Sequence, residues 1–178
     1  MDILNQRASY PSSKRAAETL CVAYADEYDV ETVIVRPGHI YGPSITENDS
    51  RATAQFTRKA HNNEDIIMKS AGNQIRSYCY TLDCASAILA VLINGKNGNA
   101  YNISNKNSVV SIRDIAEAIA ECAGKKVVFE NSSDIEKKGY NLMNNSSLDS
   151  EKLESLGWRA VFTLEEGVKR TLQYYYSI

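Results

Sequence analysis

The sequence predicts an α/β fold, on three observations. Thr32 to Val35 is a β-branched run without polar alternation, which marks a strand buried on both faces, as in a parallel sheet. The residues before it, from Tyr10 to about Tyr28, set Ala16, Ala17, Leu20, Cys21, Tyr24 and Tyr28 three and four apart, giving a helix that can cover the strand. Beyond the strand, short apolar runs and helical periodicities keep alternating, the pattern of α/β units.

Taken in order, residues 1–9 carry no periodicity. Pro11 fits the first turn of the opening helix, where its missing N–H costs nothing, and Asp29 ends that helix. After the strand comes a loop punctuated by Pro37, Gly38, Gly42 and Pro43. Ligands of open α/β sheets lie past the carboxyl ends of strands, so this loop is the first place to look for chemistry. Residues 44–50 are polar loop, and 51–61 read as a helix with Ala54, Phe56 and Ala60 on it. Ile66 to Met68 reads as a strand, 71–74 as a turn and Ser77 to Leu82 as a second strand. Asp83 is placed to cap a helix over 84–93, and 100–104 read as a strand. Ser111 caps a helix with Ile112, Ile115, Ala116, Ile119 and Cys122 on one face, ended by Gly124, and Val127 to Phe129 is a further strand. Residues 131–147 are polar and irregular, and 149–156 form a short helix. Thr163 and Glu166 make a capping box for a last helix running through Tyr175.

The totals exclude several classes. A chain of 178 residues with 43% hydrophobic content can build one domain, or one and a fraction, around a sizeable core. Net charge is −2 and the basic residues are scattered, which argues against a nucleic-acid or anionic-membrane surface. No apolar run is long enough to span a bilayer, and the first residues hold no apolar signal core. The four cysteines show no CxxC pairing and read as reduced thiols of a cytoplasmic protein. With two histidines and no ligand-like spacing, no metal site is expected.

Tyr10 and Lys14 stand one helical turn apart on one face. An ammonium beside a phenol favours the phenolate, which suits acid–base chemistry. Such a pair also arises by chance in roughly one of two chains with this many tyrosines, so alone it does not discriminate. The order of pieces does more. Tyr-x-x-x-Lys on a helix is followed by a strand, then Arg36-Pro37 and Tyr41-Gly42-Pro43. Gly72-x-x-x-Arg76, Tyr80 and Asp83 come next, then Ala100-Tyr101-Asn102-Ile103, then Leu156-Gly157-Trp158 before a capped helix.

This series resembles the extended short-chain dehydrogenase/reductase family, in particular its NAD-dependent nucleotide-sugar epimerases and dehydratases, over about residues 5–176. The resemblance implies the carboxy-terminal part of a Rossmann-type doubly wound sheet plus a small α/β substrate-binding domain. Residues 1–43 would be a remnant of the dinucleotide-binding domain and 44–178 mainly the substrate domain, with about 83–104 able to pack back on the nucleotide sheet. Tyr10 would be the base that takes a proton from a sugar hydroxyl, commonly at C4, and Lys14 would bind the nicotinamide ribose of NAD (or NADP). Pro37, Gly38, His39 and Ile40 would lie along the nicotinamide. His39 stands where many members carry an Asn facing the sugar diphosphate. Arg76 matches an arginine that approaches the diphosphate or ribose of the nucleotide-sugar, a task that suits a guanidinium fork. Arg36 reads as structural, and Arg51, Lys59 and Lys69 as solvated. The helix of Tyr10 would also join a homodimer interface.

The family's glycine-rich dinucleotide turn is not among these residues, and only nine residues precede Tyr10. The chain therefore reads as a truncated form that binds a dinucleotide poorly and turns over nothing alone, with an apolar strand edge left open. Epimerase and dehydratase stay unseparated, because the residues that distinguish them lie upstream of the tyrosine. In the segment before Leu156-Gly157-Trp158, many members carry an arginine near the nucleotide, whereas this chain has Glu136-Lys137-Lys138-Gly139-Tyr140-Asn141. A non-catalytic nucleotide-sugar-binding or dimerisation module is the alternative.

Overall fold

The computed structural model describes residues 8–43, 45–131 and 143–176. Helix α1 (Ser9–Tyr28) ends at Asp29, which turns the chain in the left-handed region at φ 53°. Strands β1 (Val33–Pro37) and β2 (His39–Tyr41) follow, then helix α2 (Ala52–His61). Strands β3 (Ile66–Met68) and β4 (Ile75–Tyr80) lead into helix α3 (Thr81–Asn94) and strand β5 (Asn99–Ile103). Then come β6 (Val109–Ser111), α4 (Ile112–Cys122), β7 (Val127–Phe129), the single-turn α5 (Glu151–Glu154) and α6 (Leu164–Tyr176).

Mixed pairing joins the strands. β1 lies parallel to β5, from Val33 opposite Asn99 to Pro37 opposite Ile103. β2 runs parallel to β4, with His39 opposite Tyr78, and β4 pairs antiparallel with β6, with Arg76 opposite Val110. β3 is parallel to β7. Strand alternation sends successive side chains of β4 to opposite sides. Tyr78 and Tyr80 enter a core shared with Phe56, Ile66, Ile115 and Val168, while Cys79 enters one with Ala87, Val91, Tyr101, Ile103 and Trp158. Val33 and Val35 of β1 pack against this second core, on the side of α3, so Ile34 and Arg36 point to the side of α1.

The capping box expected at Thr163 forms, and the Ser111 cap proves to be one too. Asp114 N–H donates to Ser111 Oγ at 3.0 Å and Ser111 N–H to Asp114 Oδ2 at 2.8 Å. Thr163 N–H donates to Glu166 Oε2 at 3.0 Å and Glu166 N–H to Thr163 Oγ1 at 3.2 Å. In the same first turn of α6, Gly167 sits against the ring of Tyr41, whose hydroxyl donates to Leu164 O at 3.2 Å. A Cβ at 167 would fall on the phenol.

Several expectations are corrected. Asp83 does not cap α3, which starts two residues earlier with Tyr80 at its N-cap and no side-chain cap. Its buried carboxylate instead accepts from Val161 N–H at 2.9 Å and Phe162 N–H at 3.2 Å, tying α3 to the approach of α6. β4 begins at Ile75 rather than Ser77, and α5 is shorter than the periodicity of 149–156 suggests. His39–Tyr41, read as loop, and Val109–Ser111, for which the sequence gives no strand, are short strands flanking β4.

The largest difference concerns α1. Leu20, Tyr24 and Tyr28, expected to cover the strand, are 58%, 56% and 58% exposed. Of the expected face only Cys21 is half-buried, and the other half-buried positions along the helix are Glu18 and Ala25. Arg36 clamps it by donating to both carboxylate oxygens of Glu18, at 2.7 and 2.5 Å, and Thr32 Oγ1 donates to Cys21 O at 3.3 Å. β1 is half-buried at best, because among the described residues only one of its edges is paired. The outer side of α3 is equally bare, with Leu82, Leu89, Leu92 and Ile93 all more than half exposed. No described helix is long and apolar enough to cross a membrane.

Candidate active site

The clamp between α1 and β1 sets the direction of the helix. Cys21 meets Thr32 and Glu18 meets Arg36, so α1 runs antiparallel to β1. At 1.5 Å per residue, Lys14 lies ~6 Å and Tyr10 ~12 Å beyond Glu18, toward the end where β1 runs into Pro37. Tyr10 and Lys14 thus share one end of the fold with Pro37, Gly38, His39 and Ile40. Lys14 Nζ stands 5.5 Å from the centroid of the Tyr10 ring, over its face, and Tyr10 is 70% exposed.

The loop is pinned from below. Gly38 N–H donates to Ile103 O at 2.9 Å, and a Cβ on Gly38 would stand 3.3 Å from both Ile103 O and Ser77 O. A side chain there would push the loop off β4 and β5. Pro37 is exposed at the end of β1, whereas Ile40 packs into the core beneath and its carbonyl accepts from Arg51 Nη1 at 3.3 Å. Ile40 therefore shapes the loop from inside.

His39 lies at the rim, with its ring centroid 5.8 Å from that of Tyr78 and Nε2 3.2 Å from Ser146 Oγ. Partial desolvation, then the positive charges of Arg76 and Arg51, hold its imidazole below the ordinary value. Burial pushes the Tyr78 phenol up to about 12, so it remains a neutral hydroxyl.

Arg76 is only 4% exposed, and its Nη1 donates to Ile75 O at 2.7 Å. No ion pair among the described residues supplies it with a carboxylate. A buried guanidinium without a counter-charge is costly unless an anion reaches it, and its fork suits phosphate oxygens. Arg51 and Arg36 differ in being already engaged. Arg51 forks onto Asp49, holding that carboxyl down at about 2, and Arg36 onto Glu18. Arg36 is therefore structural, as the sequence suggests.

Three residues of this layer escaped sequence reasoning: Tyr78, Ser146 and Gln74. Tyr78 and Gln74 were findable, because each stands two residues from Arg76 and so shares its strand face. Ser146 comes from the polar tract after residue 142, where no periodicity gives a position. The segment Glu136 to Asn141 lies outside the described residues. Among those described, no cluster of side chains could hold a metal.

For a dinucleotide, these residues fit one end. The Tyr10–Lys14 pair and the Pro37–Ile40 loop are the residues that would hold a nicotinamide riboside, whereas no glycine-rich turn for the pyrophosphate occurs among these 178 residues.

A family model described as "NAD dependent epimerase/dehydratase family" matches residues 2–104, more than half of the chain. The chain belongs to the NAD dependent epimerase/dehydratase family. It is 29% identical over 174 residues to human dTDP-D-glucose 4,6-dehydratase, the match covering 93% of this chain and 47% of that protein. It is 27% identical over 175 residues to UDP-glucuronic acid decarboxylase 1 of Xenopus tropicalis, covering 97% and 40%. The UDP-glucose 4-epimerase of Thermotoga maritima, solved with UDP-glucose, superposes with a TM-score of 0.82 at 25% identity, over 94% of this chain and 53% of that one. The chain thus spans about half the length of the relatives it matches, and its α/β architecture is that of Rossmann-type epimerases and dehydratases.

Proposed function

We propose that this chain carries the catalytic helix and the substrate-binding part of an NAD(P)-dependent nucleotide-sugar epimerase or dehydratase, and that alone it is inactive or nearly so. The observation that carries the reading is the convergence, at one end of the fold, of the Tyr10–Lys14 pair, the pinned Pro37–Ile40 loop and a buried Arg76 that no acid pairs with among the described residues. Residues 1–43 then belong to the dinucleotide unit and 44–178 mainly to the substrate unit, with α3 and β5 packed back on β1.

In this reading Arg76 takes the diphosphate of the nucleotide-sugar, and His39, fixed by Ser146, donates to it from the rim as a neutral imidazole. Tyr10 Oη accepts the proton of a sugar hydroxyl, C4 by the family pattern, leaving a keto sugar after oxidation. Lys14 holds the ribose of the nicotinamide and places a positive charge beside the phenol. NAD, when bound, supplies the hydride acceptor. Family membership supports the class of reaction, and the relatives named above include an epimerase, a dehydratase and a decarboxylase.

Calorimetry with UDP-glucose, dTDP-glucose and NAD tests the reading. The expected result is nucleotide-sugar binding that Arg76→Ala weakens about 10- to 100-fold, the loss of one or two charge-assisted hydrogen bonds. NAD should bind weakly, with turnover appearing only when the complementary half of the enzyme is supplied. Absence of nucleotide-sugar binding, or micromolar NAD binding by the chain alone, overturns it. The bare apolar stripe of α1 favours one second reading, a dimerising or docking module without chemistry. Tyr10→Phe distinguishes the two, because it would leave such a module intact.

A further inference from the structure

Gln74 carries the single buried side-chain polar atom without a hydrogen-bond partner among the described residues, its Oε1. Its backbone continues the β4–β6 ladder by one step, since Ile112 N–H donates to Gln74 O at 3.1 Å beyond the Ile75–Ser111 pair. Extended backbone therefore places Gln74 and Arg76 on the same face, ~7 Å apart. Among the described residues one offers an unfilled acceptor and the other a buried cation with no acid, so two unmet demands of opposite kind stand side by side. A ligand that answers both must carry an anion and, one sugar ring away, a hydrogen-bond donor. A nucleoside diphosphate has that constitution.

We propose that Gln74 is a specificity-determining residue: its Oε1 accepts a hydrogen bond from the nucleoside, a ribose hydroxyl or a base N–H, while Arg76 pairs with the diphosphate. The assignment rests on the proposed function, from which it takes the ligand class. It accounts for an acceptor that the fold itself leaves unused. A buried acceptor kept for structure would have a donor in the protein, because unfilled ones are destabilising. One kept for a ligand has its donor in the ligand.

The test is titration of the chain with pyrophosphate, UDP and 2′-deoxy-UDP, for the native residue, Gln74→Met and Gln74→Asn. Methionine keeps length and volume but lacks the acceptor, and removing an unfilled acceptor should leave the melting temperature unchanged or higher. Pyrophosphate affinity should stay within about twofold, while UDP affinity falls about 3- to 10-fold, the size of one neutral hydrogen bond. Gln74→Asn, which keeps an acceptor but withdraws it by one carbon, should fall between and covers the case in which the methionine variant does not fold. If 2′-deoxy-UDP binds the native chain more weakly and is indifferent to Gln74→Met, the donor is the 2′-hydroxyl. If both nucleotides lose equally, it is another hydroxyl or the base. UDP binding that depends on Arg76 but not on Gln74 overturns the assignment and leaves the proposed function standing. Failure of the native chain to bind either UDP or pyrophosphate overturns both. A lower melting temperature with unchanged UDP affinity makes Gln74 merely structural.

Discussion

At the scale of single residues, this chain separates groups already engaged from groups still open. Glu18, Arg36, Asp49 and Arg51 are spent on each other. Tyr10, Lys14, Arg76 and Gln74 are not held by opposite charges of the described fold, which is why they are candidates for binding and chemistry. Tyr10 is solvent-facing, so Tyr10→Phe should leave the melting temperature unchanged and, in the enzyme with both halves present, lower turnover at least 100-fold through loss of the proton acceptor. Thermal melts and product formation on the same preparation check this. His39 gives a pH prediction. Its folded-state pKa is depressed, so between that value and the unfolded value of about 6.5 the unfolded chain binds more protons. Its contribution to stability is therefore full above about pH 6.5 and is lost as pH falls through the folded midpoint. An NMR titration of the imidazole should show the low midpoint. Arg76→Ala should raise it only in part, because desolvation is the larger cause and Arg51 remains.

At the scale of elements, what the sequence made legible depended on whether the partner was local. The cap at Ser111 and the capping box at Thr163 were readable because cap and capped residues lie within one turn. The strand Ile66–Met68 was readable from three consecutive apolar residues. Asp83 was misread because its true partners, the amides of Val161 and Phe162, lie 78 and 79 positions away. A residue with cap chemistry beside a helix start gives no sign of such a distant demand. β2 and β6 were missed because three residues between turn formers carry no usable period. Among the candidate site residues, Tyr10, Lys14 and Arg76 stand in motifs that single them out, whereas Ser146 stands in none. Asp83→Ala should cost about 2–4 kcal/mol, since two amides at a buried site lose a charged acceptor. Urea unfolding measures this, with Asp83→Asn falling between the mutant and the native chain because it keeps one acceptor.

At the scale of the whole molecule, the unusual property is where the apolar surface lies. Stripes on α1 and α3 flank β1 from its two sides, beside an edge with no described partner strand. Periodicity identified the face of α1 as apolar but cannot say what covers it, and for α3 the sequence marked no face. In our reading both stripes receive the rest of the dinucleotide unit, and without it they should promote self-association. Leu89→Glu with Leu92→Glu should therefore shift sedimentation toward the monomer. It should leave urea stability within about 1 kcal/mol, because exposed leucine and glutamate have similar helix propensity.

The absence of a side chain at position 167 has a reach that its place in the terminal helix would not suggest. Tyr41 presses on that bare backbone, and Tyr41 is two residues from His39 on the same short strand. Clearance between the last helix and the candidate site is thus fixed to within one methyl group. Gly167→Ala would displace the phenol, and with it the strand that sets the imidazole, so the His39 resonances should move although no ligand ever meets residue 167. A screen for loss of binding would score that position alongside genuine contact residues, and the mapped site would look larger than the surface the ligand touches.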